Sequence, residues 1–322
     1  MTLIRSAATL VALCIAAPSI AGDCEPGLAI ELQLEPVESG SPVVTVLING
    51  SARRLLVEPG ALWTAVSTSA AAKLGLEPLP LLPLGAADAE AGAAVSQFAA
   101  ADRIEIGALA WPHPKVLLLP EKVIGPELDG VLGSDLLAPY DLEFDFAKHM
   151  LRLVPQKPCR GPVVNWTRDY VAVPFDISAN RHLVVPMKLD GKRVSVSIDT
   201  ARVKTAMSES SAGRLFGLSS SSAGVDVPAD ATTAKTLRFR KQFESLSISG
   251  VTIRHPTIYV WADGPSRAPP SSPTAGNGAE PATGIVLEQQ DLVVGTDVLR
   301  HLHLYIGSAE KMLYVSTADA HN

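Results

Sequence analysis

Two carboxylates occupy matching places in this 322-residue chain. Glu58 ends the run Arg54–Glu58, and Asp199 ends the run Val194–Asp199, 141 residues later. A carboxyl group placed beside a reacting bond can take up or give a proton. One carboxylate at a strand end is ordinarily a solvated side chain. Two at equivalent positions of a repeated pattern argue for a shared role. The remaining chemistry-bearing residues say less. His301 and His303 would share one face of a strand, but a metal needs further ligands, and none stands nearby, so they read as surface polar groups. Asp141, Glu143 and Asp145 alternate and read as a solvated strand face, with a calcium site the alternative. His113 and His255 each precede a proline at equivalent positions and read as turn residues. Asn49-Gly50-Ser51 and Asn165-Trp166-Thr167 fit the glycosylation pattern, although the first reads better as a hairpin turn. Nucleophile-elbow, Walker and Rossmann patterns are absent, as is a plausible Ser/His/Asp grouping.

The elements that would position the two carboxylates are themselves written twice. VVTVLINGSARRLLVEPGALWTAVSTSAAAKLGL, from Val43 to Leu76, faces VVPMKLDGKRVSVSIDTARVKTAMSESSAGRLFGL, from Val184 to Leu218. Gly50 matches Gly191 and Thr64 matches Thr205, both 141 residues apart. Ile30, Leu32 and Leu34 match Val171, Val173 and Phe175. VLGSDLL, Val131–Leu137, returns as VVGTDVL, Val293–Leu299. Asn49-Gly50 and Asp190-Gly191 are two-residue hairpin signals, because both central residues of such a turn need positive φ. Short helices are predicted over Ser67–Leu74 and Ser208–Leu215, with Ser134 and Thr296 as N-caps of two more. Leu142, Phe144 and Phe146 alternate, as do Leu302, Leu304 and Ile306, so each copy closes on a strand. Pro155–Thr167 holds three prolines and reads as a linker, with 25–154 as one lobe, 155–168 as linker and 169–318 as the second lobe. The run from Ala262 to Gly284 is rich in Pro, Ser, Ala and Gly and reads as a mobile loop.

Composition sets the outer limits. With 47% hydrophobic, 19% charged and 5% aromatic residues, the chain can bury a sizeable core. Net charge is −6 without a basic stripe, so no nucleic-acid partner is expected. Residues 1–21 read as a signal peptide: Arg5, an apolar stretch Ala7–Ala17, then Ser19-Ile20-Ala21 as a cleavage site. That stretch is too short to span a bilayer, so a periplasmic or secreted protein with no membrane partner after cleavage is expected. Leu13 before Cys14 argues against lipidation. The mature chain keeps Cys24 and Cys159, expected to pair in an oxidising compartment, with two free thiols as the alternative.

A hairpin followed by a strand ending in Asp-Thr-Ala, here Asp199-Thr200-Ala201, resembles the active-site loop of the pepsin and retropepsin aspartic proteases. The later Gly-x-Asp-x-Leu blocks resemble the segment that packs behind that loop. Both blocks occur in order in both halves, so the resemblance covers nearly all of the mature chain. It implies a mainly β fold of two pseudo-twofold-related retropepsin-like barrel lobes with a cleft between them. It also implies acid-type peptide hydrolysis with no cofactor and no metal, acting on a peptide or protein. Asp199 would be one catalytic aspartate, with Thr200 and Ala201 completing its loop. A double repeat in one chain completes the cleft unaided, so a monomer is expected.

The first half departs from the pattern. It has Glu58 where aspartate is expected and Pro59 where threonine is expected, and it keeps Gly60. Glutamate is longer by one C–C bond, about 1.5 Å, and a misplacement of that order costs roughly 100-fold in rate. Pro59 offers neither hydroxyl nor N–H, so only Thr200 can lock the lobes across the axis. Arg202 and Lys204 follow the second triplet, and a cation near Asp199 opposes a shared proton. Two readings stay open: an asymmetric Glu58/Asp199 dyad that cuts peptides, and an impaired pseudoprotease that binds them. A structural envelope protein is a third class. The flaps would lie at about Pro78–Ala101 and Ser219–Phe243.

Overall fold

The computed structural model describes residues 29–80, 97–156, 164–178, 181–229, 237–263 and 290–320. The signal segment, Cys14, Cys24, Cys159, most of the first flap and nearly all of the Ala262–Gly284 run lie outside the described residues. Both hairpin signals form as the turn chemistry requires. Asn49 and Gly50 have φ of 49° and 76°, and Asp190 and Gly191 have 47° and 78°. They join Val43–Ile48 to Ser51–Val57 and Leu183–Leu189 to Lys192–Ile198. The Asn49 side chain accepts from the backbone N–H of Asp102 and Arg103, at 2.8 and 3.1 Å. Asp190 accepts from Ser245 N–H at 2.9 Å, so each turn pins the following hairpin. His113 and His255 are turn residues at φ 50° and 53°.

Among the described residues the strands form three sheets. The first-half sheet runs Gln97–Ala100, Lys115–Leu119, Ala65–Ser67, Gly130–Leu132, Ser51–Val57, Val43–Ile48, Arg103–Ile106, Leu109–Pro112. The second-half sheet repeats that order: Leu237–Gln242, Thr257–Trp261, Ala206–Ser208, Leu292–Val294, Lys192–Ile198, Leu183–Leu189, Ser245–Ile248, Val251–Arg254. It adds Val225–Asp226 at one edge and Asp176–Ile177 beside Leu183–Leu189. The two halves are therefore two mainly β lobes of one design. The third sheet belongs to both. Its order is Ile30–Gln33, Met150–Pro155, Tyr140–Asp145, Leu302–Gly307, Met312–Thr317, Val171–Pro174, three strands from each half mirrored about the middle. There Leu142 pairs Ile306 and Phe144 pairs Leu304, and their burial joins the larger apolar cores of the two lobes.

Helices Thr68–Lys73 and Glu209–Phe216 start on Ser67 and Ser208, whose hydroxyls accept from the N–H three residues on. Ser134 and Thr296 are not N-caps, contrary to expectation. The caps are Gly133 and Gly295. Close approach of the carboxylate-bearing loops is the reason. A Cβ at Gly133 would lie 2.5 Å from the Trp63 carbonyl carbon, and at Gly295 2.6 Å from Arg202 O. The hydroxyl of Thr296, freed from capping, donates to Ser39 O of the other lobe at 2.9 Å.

The strand face of Asp141, Glu143 and Asp145 is not a solvated one, and His303 is not a surface residue. Glu143, Asp145 and His303 are buried. His303 Nε2 lies 3.0 Å from Glu143 Oε1, and its Nδ1 lies 3.7 Å from Asp145 Oδ2. Arg152 Nη1 donates to Glu143 Oε2 at 2.9 Å, and Lys148 Nζ lies 3.1 Å from Asp145. Trp166, from the linker, stacks on the imidazole with centroids 4.0 Å apart and its indole N–H on Ser316 Oγ. The linker thus covers a face that alternation alone marks as exposed. Removing one partner of a buried ion pair strands the others. Glu143→Ala is expected to lower unfolding free energy by about 3 kcal/mol in urea titrations, and Glu143→Gln by less, because its amide still fills the site.

Candidate active site

Each carboxylate rides on the same scaffold. Ser51–Val57 lies parallel to Gly130–Leu132, and Lys192–Ile198 lies parallel to Leu292–Val294. The backbone N–H of Glu58 donates to Leu132 O at 3.0 Å, and that of Asp199 to Val294 O at 3.1 Å. Behind each tip stands a threonine. Thr64 Oγ1 donates to Asp135 Oδ1 at 2.7 Å and accepts from Gly133 N–H at 3.1 Å. Thr205 Oγ1 does the same with Asp297 at 2.6 Å and Gly295 N–H at 3.1 Å. Both threonines and both aspartates are drawn from the repeated blocks, so this strut explains why the blocks recur.

The two tips meet. Thr200 Oγ1 lies 2.8 Å from Val57 O and 2.5 Å from Glu58 Oε2, in the opposite lobe. Ala201 N–H lies 2.8 Å from Glu58 Oε2 and 3.0 Å from Asp199 Oδ1. One backbone donor thus serves both carboxylates. Glu58 Oε1 accepts from Gly60 N–H at 2.8 Å, and Asp199 Oδ1 also accepts from Arg202 N–H at 3.1 Å. Glu58 is 2% exposed and Asp199 3%, so neither charge is diluted by water. Gly60 is required here. A Cβ would sit 2.7 Å from Glu58 Oε1 and 2.5 Å from His182 Nδ1.

Glutamate therefore does more than overshoot. Its extra methylene carries the carboxylate across the axis onto the donors of the opposite loop. There it supplies the reciprocal interlobe contact that Pro59 cannot make. Burial first, then the neighbouring Asp199 charge, push the Glu58 carboxyl up to about 7, against the pull of His182, Thr200 and Gly60. Arg202 Nε stands 3.6 Å from Asp199 Oδ2 and is buried with no hydrogen-bond partner among the described residues. The cation expected beside Asp199 is therefore Arg202. Lys204 turns instead to the Tyr259 ring, 5.3 Å from its centroid.

All six residues of the expected loops, Glu58, Pro59, Gly60, Asp199, Thr200 and Ala201, lie at this junction. Sequence reasoning missed His182, whose Nδ1 lies 4.0 Å from Glu58 Oε1. A signal was available. In the hairpin register Leu183 faces Ile198, so the residue before Leu183 arrives level with Asp199.

The family model for aspartyl proteases matches residues 44–136. No curated protein matches the sequence significantly. Among solved structures, the basic 7S globulin from soybean aligns over 91% of this chain and 98% of its own, at 11% identity and a TM-score of 0.47. The matched stretch, residues 44–136, lies in the first lobe, and the second half of the chain repeats that lobe's strand order.

Proposed function

We propose that this protein hydrolyses peptide bonds by acid-type catalysis, with Glu58 and Asp199 sharing one proton. The observation that carries the reading is the single Ala201 N–H held by two buried carboxylates from opposite lobes. Glu58, with its carboxyl pushed up to about 7, is the member that holds the proton at acidic pH. Asp199 is then the base. It takes a proton from a water as the water oxygen bonds to the peptide carbonyl carbon, while Glu58 gives its proton to the carbonyl oxygen. Asp199 next passes its proton to the leaving nitrogen as the C–N bond breaks, and Glu58 recovers one from the diol. One water is consumed and both carboxyls return to their starting states. The substrate is a peptide or protein lying across the two joined loops in the cleft between the lobes, and the setting is periplasmic or secreted.

A second reading has its own support. Both Glu58 oxygens are already hydrogen-bonded, and Pro59 replaces a hydroxyl-bearing residue, as in a site kept for binding or for holding the lobes together. Incubation of the full chain with a mixed peptide library from acidic to neutral pH separates the two. The hydrolase reading expects fragments, and it expects Asp199→Asn to lower their rate by about 100-fold or more. Peptide binding without fragments in wild type would leave the pseudoprotease reading. The Glu58→Asp, Pro59→Thr double variant restores the shorter carboxylate and is expected to cut about 100-fold faster.

Stability should follow the same proton. The folded-state value of Glu58 lies above its ordinary 4.5, so its contribution is fully present below about 4.5 and lost as pH rises through about 7. Urea unfolding is expected to show wild type losing stability across that window, and Glu58→Gln losing less of it.

A further inference from the structure

We propose that His182 is a positioning residue that eases release of the Glu58 proton, a role whose kinetic consequence rests on the hydrolase reading above. His182 reaches the site from the second lobe, just ahead of Leu183–Leu189. A left-handed Arg181, φ 66°, turns the chain there, and Ser178 holds both His182 backbone groups, through its hydroxyl at 3.2 Å and its N–H at 3.0 Å. The ring is seated against Gly60, where even a methyl group would collide with it.

Its Nδ1 is buried and, among the described residues, has no hydrogen-bond partner. Leaving a buried polar nitrogen unpaired is unfavourable, so such a group in a packed site points to a need it serves. What it faces is Glu58 Oε1, 4.0 Å away. That is too long for a hydrogen bond and well inside the range in which charge is felt. The two Glu58 oxygens differ. Oε2 lies within hydrogen-bond distance of Thr200 Oγ1 and Ala201 N–H of the opposite lobe, whereas Oε1 accepts from Gly60 N–H of its own loop. Oε1 is the oxygen that faces His182. A positively charged imidazole at that distance stabilises the carboxylate left behind when the proton goes, and so favours release. The other charged groups around Glu58 are Asp199, which opposes release, and Arg202 on the far side of Asp199. Arg181, the chain neighbour of His182, is exposed.

The test follows the Glu58 carboxyl directly, by carbon-13 NMR titration of the full chain labelled at glutamate, alongside the pH profile of peptide cleavage. In His182→Asn the Glu58 midpoint is expected to rise by about one pH unit, and the alkaline limb of kcat/KM to move with it. His182→Lys restores a charge and is expected to bring the midpoint back down. It also serves if the asparagine variant fails to fold. A Glu58 midpoint unmoved by either substitution overturns the role of His182, whether or not peptides are cut. A midpoint that moves in a protein that cuts no peptide upholds His182 and removes the hydrolase reading instead.

Discussion

One backbone N–H, that of Ala201, is the point on which the two lobes agree. It lies within hydrogen-bond distance of a carboxylate from each half, and the threonine hydroxyl beside it closes the same junction from the side. Buried carboxylates are costly unless their charge is met, and here four groups lie within hydrogen-bond distance of the pair: the Gly60, Ala201 and Arg202 N–H groups and the Thr200 hydroxyl. The donors alone do not suffice for two negative charges, so the Glu58 carboxyl rises to about 7 and keeps a proton. The junction is therefore a mechanical clasp and a proton store at once. Lengthening one carboxylate by a methylene is what combines the two, since an aspartate at position 58 would end nearer its own loop.

Everything behind the clasp serves to bring the tips together. Gly133 and Gly295 let the backbone pass where any side chain would strike it, and Thr64–Asp135 and Thr205–Asp297 brace the loops from behind. Below, the mirrored six-stranded sheet fixes the lobes to each other through paired apolar side chains and through His303 held between Glu143 and Asp145. The two contacts sit at different levels of the molecule. Motion of one lobe against the other is therefore restrained by both, which suits a site that depends on atomic placement across a lobe boundary.

Much of this was written in the sequence, because turn chemistry and repetition are local signals. Asn49-Gly50 and Asp190-Gly191 set the hairpins, the hairpins set the register, and the register carries Glu58 and Asp199 to equivalent strand ends. What the sequence concealed depends on what lies across a gap. Ser134 and Thr296 look like caps until the neighbouring loop is seen to leave room only for glycine before them. Glu143, Asp145 and His303 alternate like solvated residues, and only the packing of distant Trp166 shows otherwise. Glu58 looks like a fault in a motif, and its grip on the opposite loop belongs to the pair of loops and not to either one.

The clasp is open to direct inspection. A neutron crystal structure of the protein at about pH 5 would place both the Glu58 carboxylate and its proton. Seating of Glu58 Oε2 on Thr200 Oγ1 and Ala201 N–H, with a proton on the Glu58 carboxyl, is the predicted result. A Glu58 side chain turned away from the second lobe, or carrying no proton beside Asp199, would contradict it.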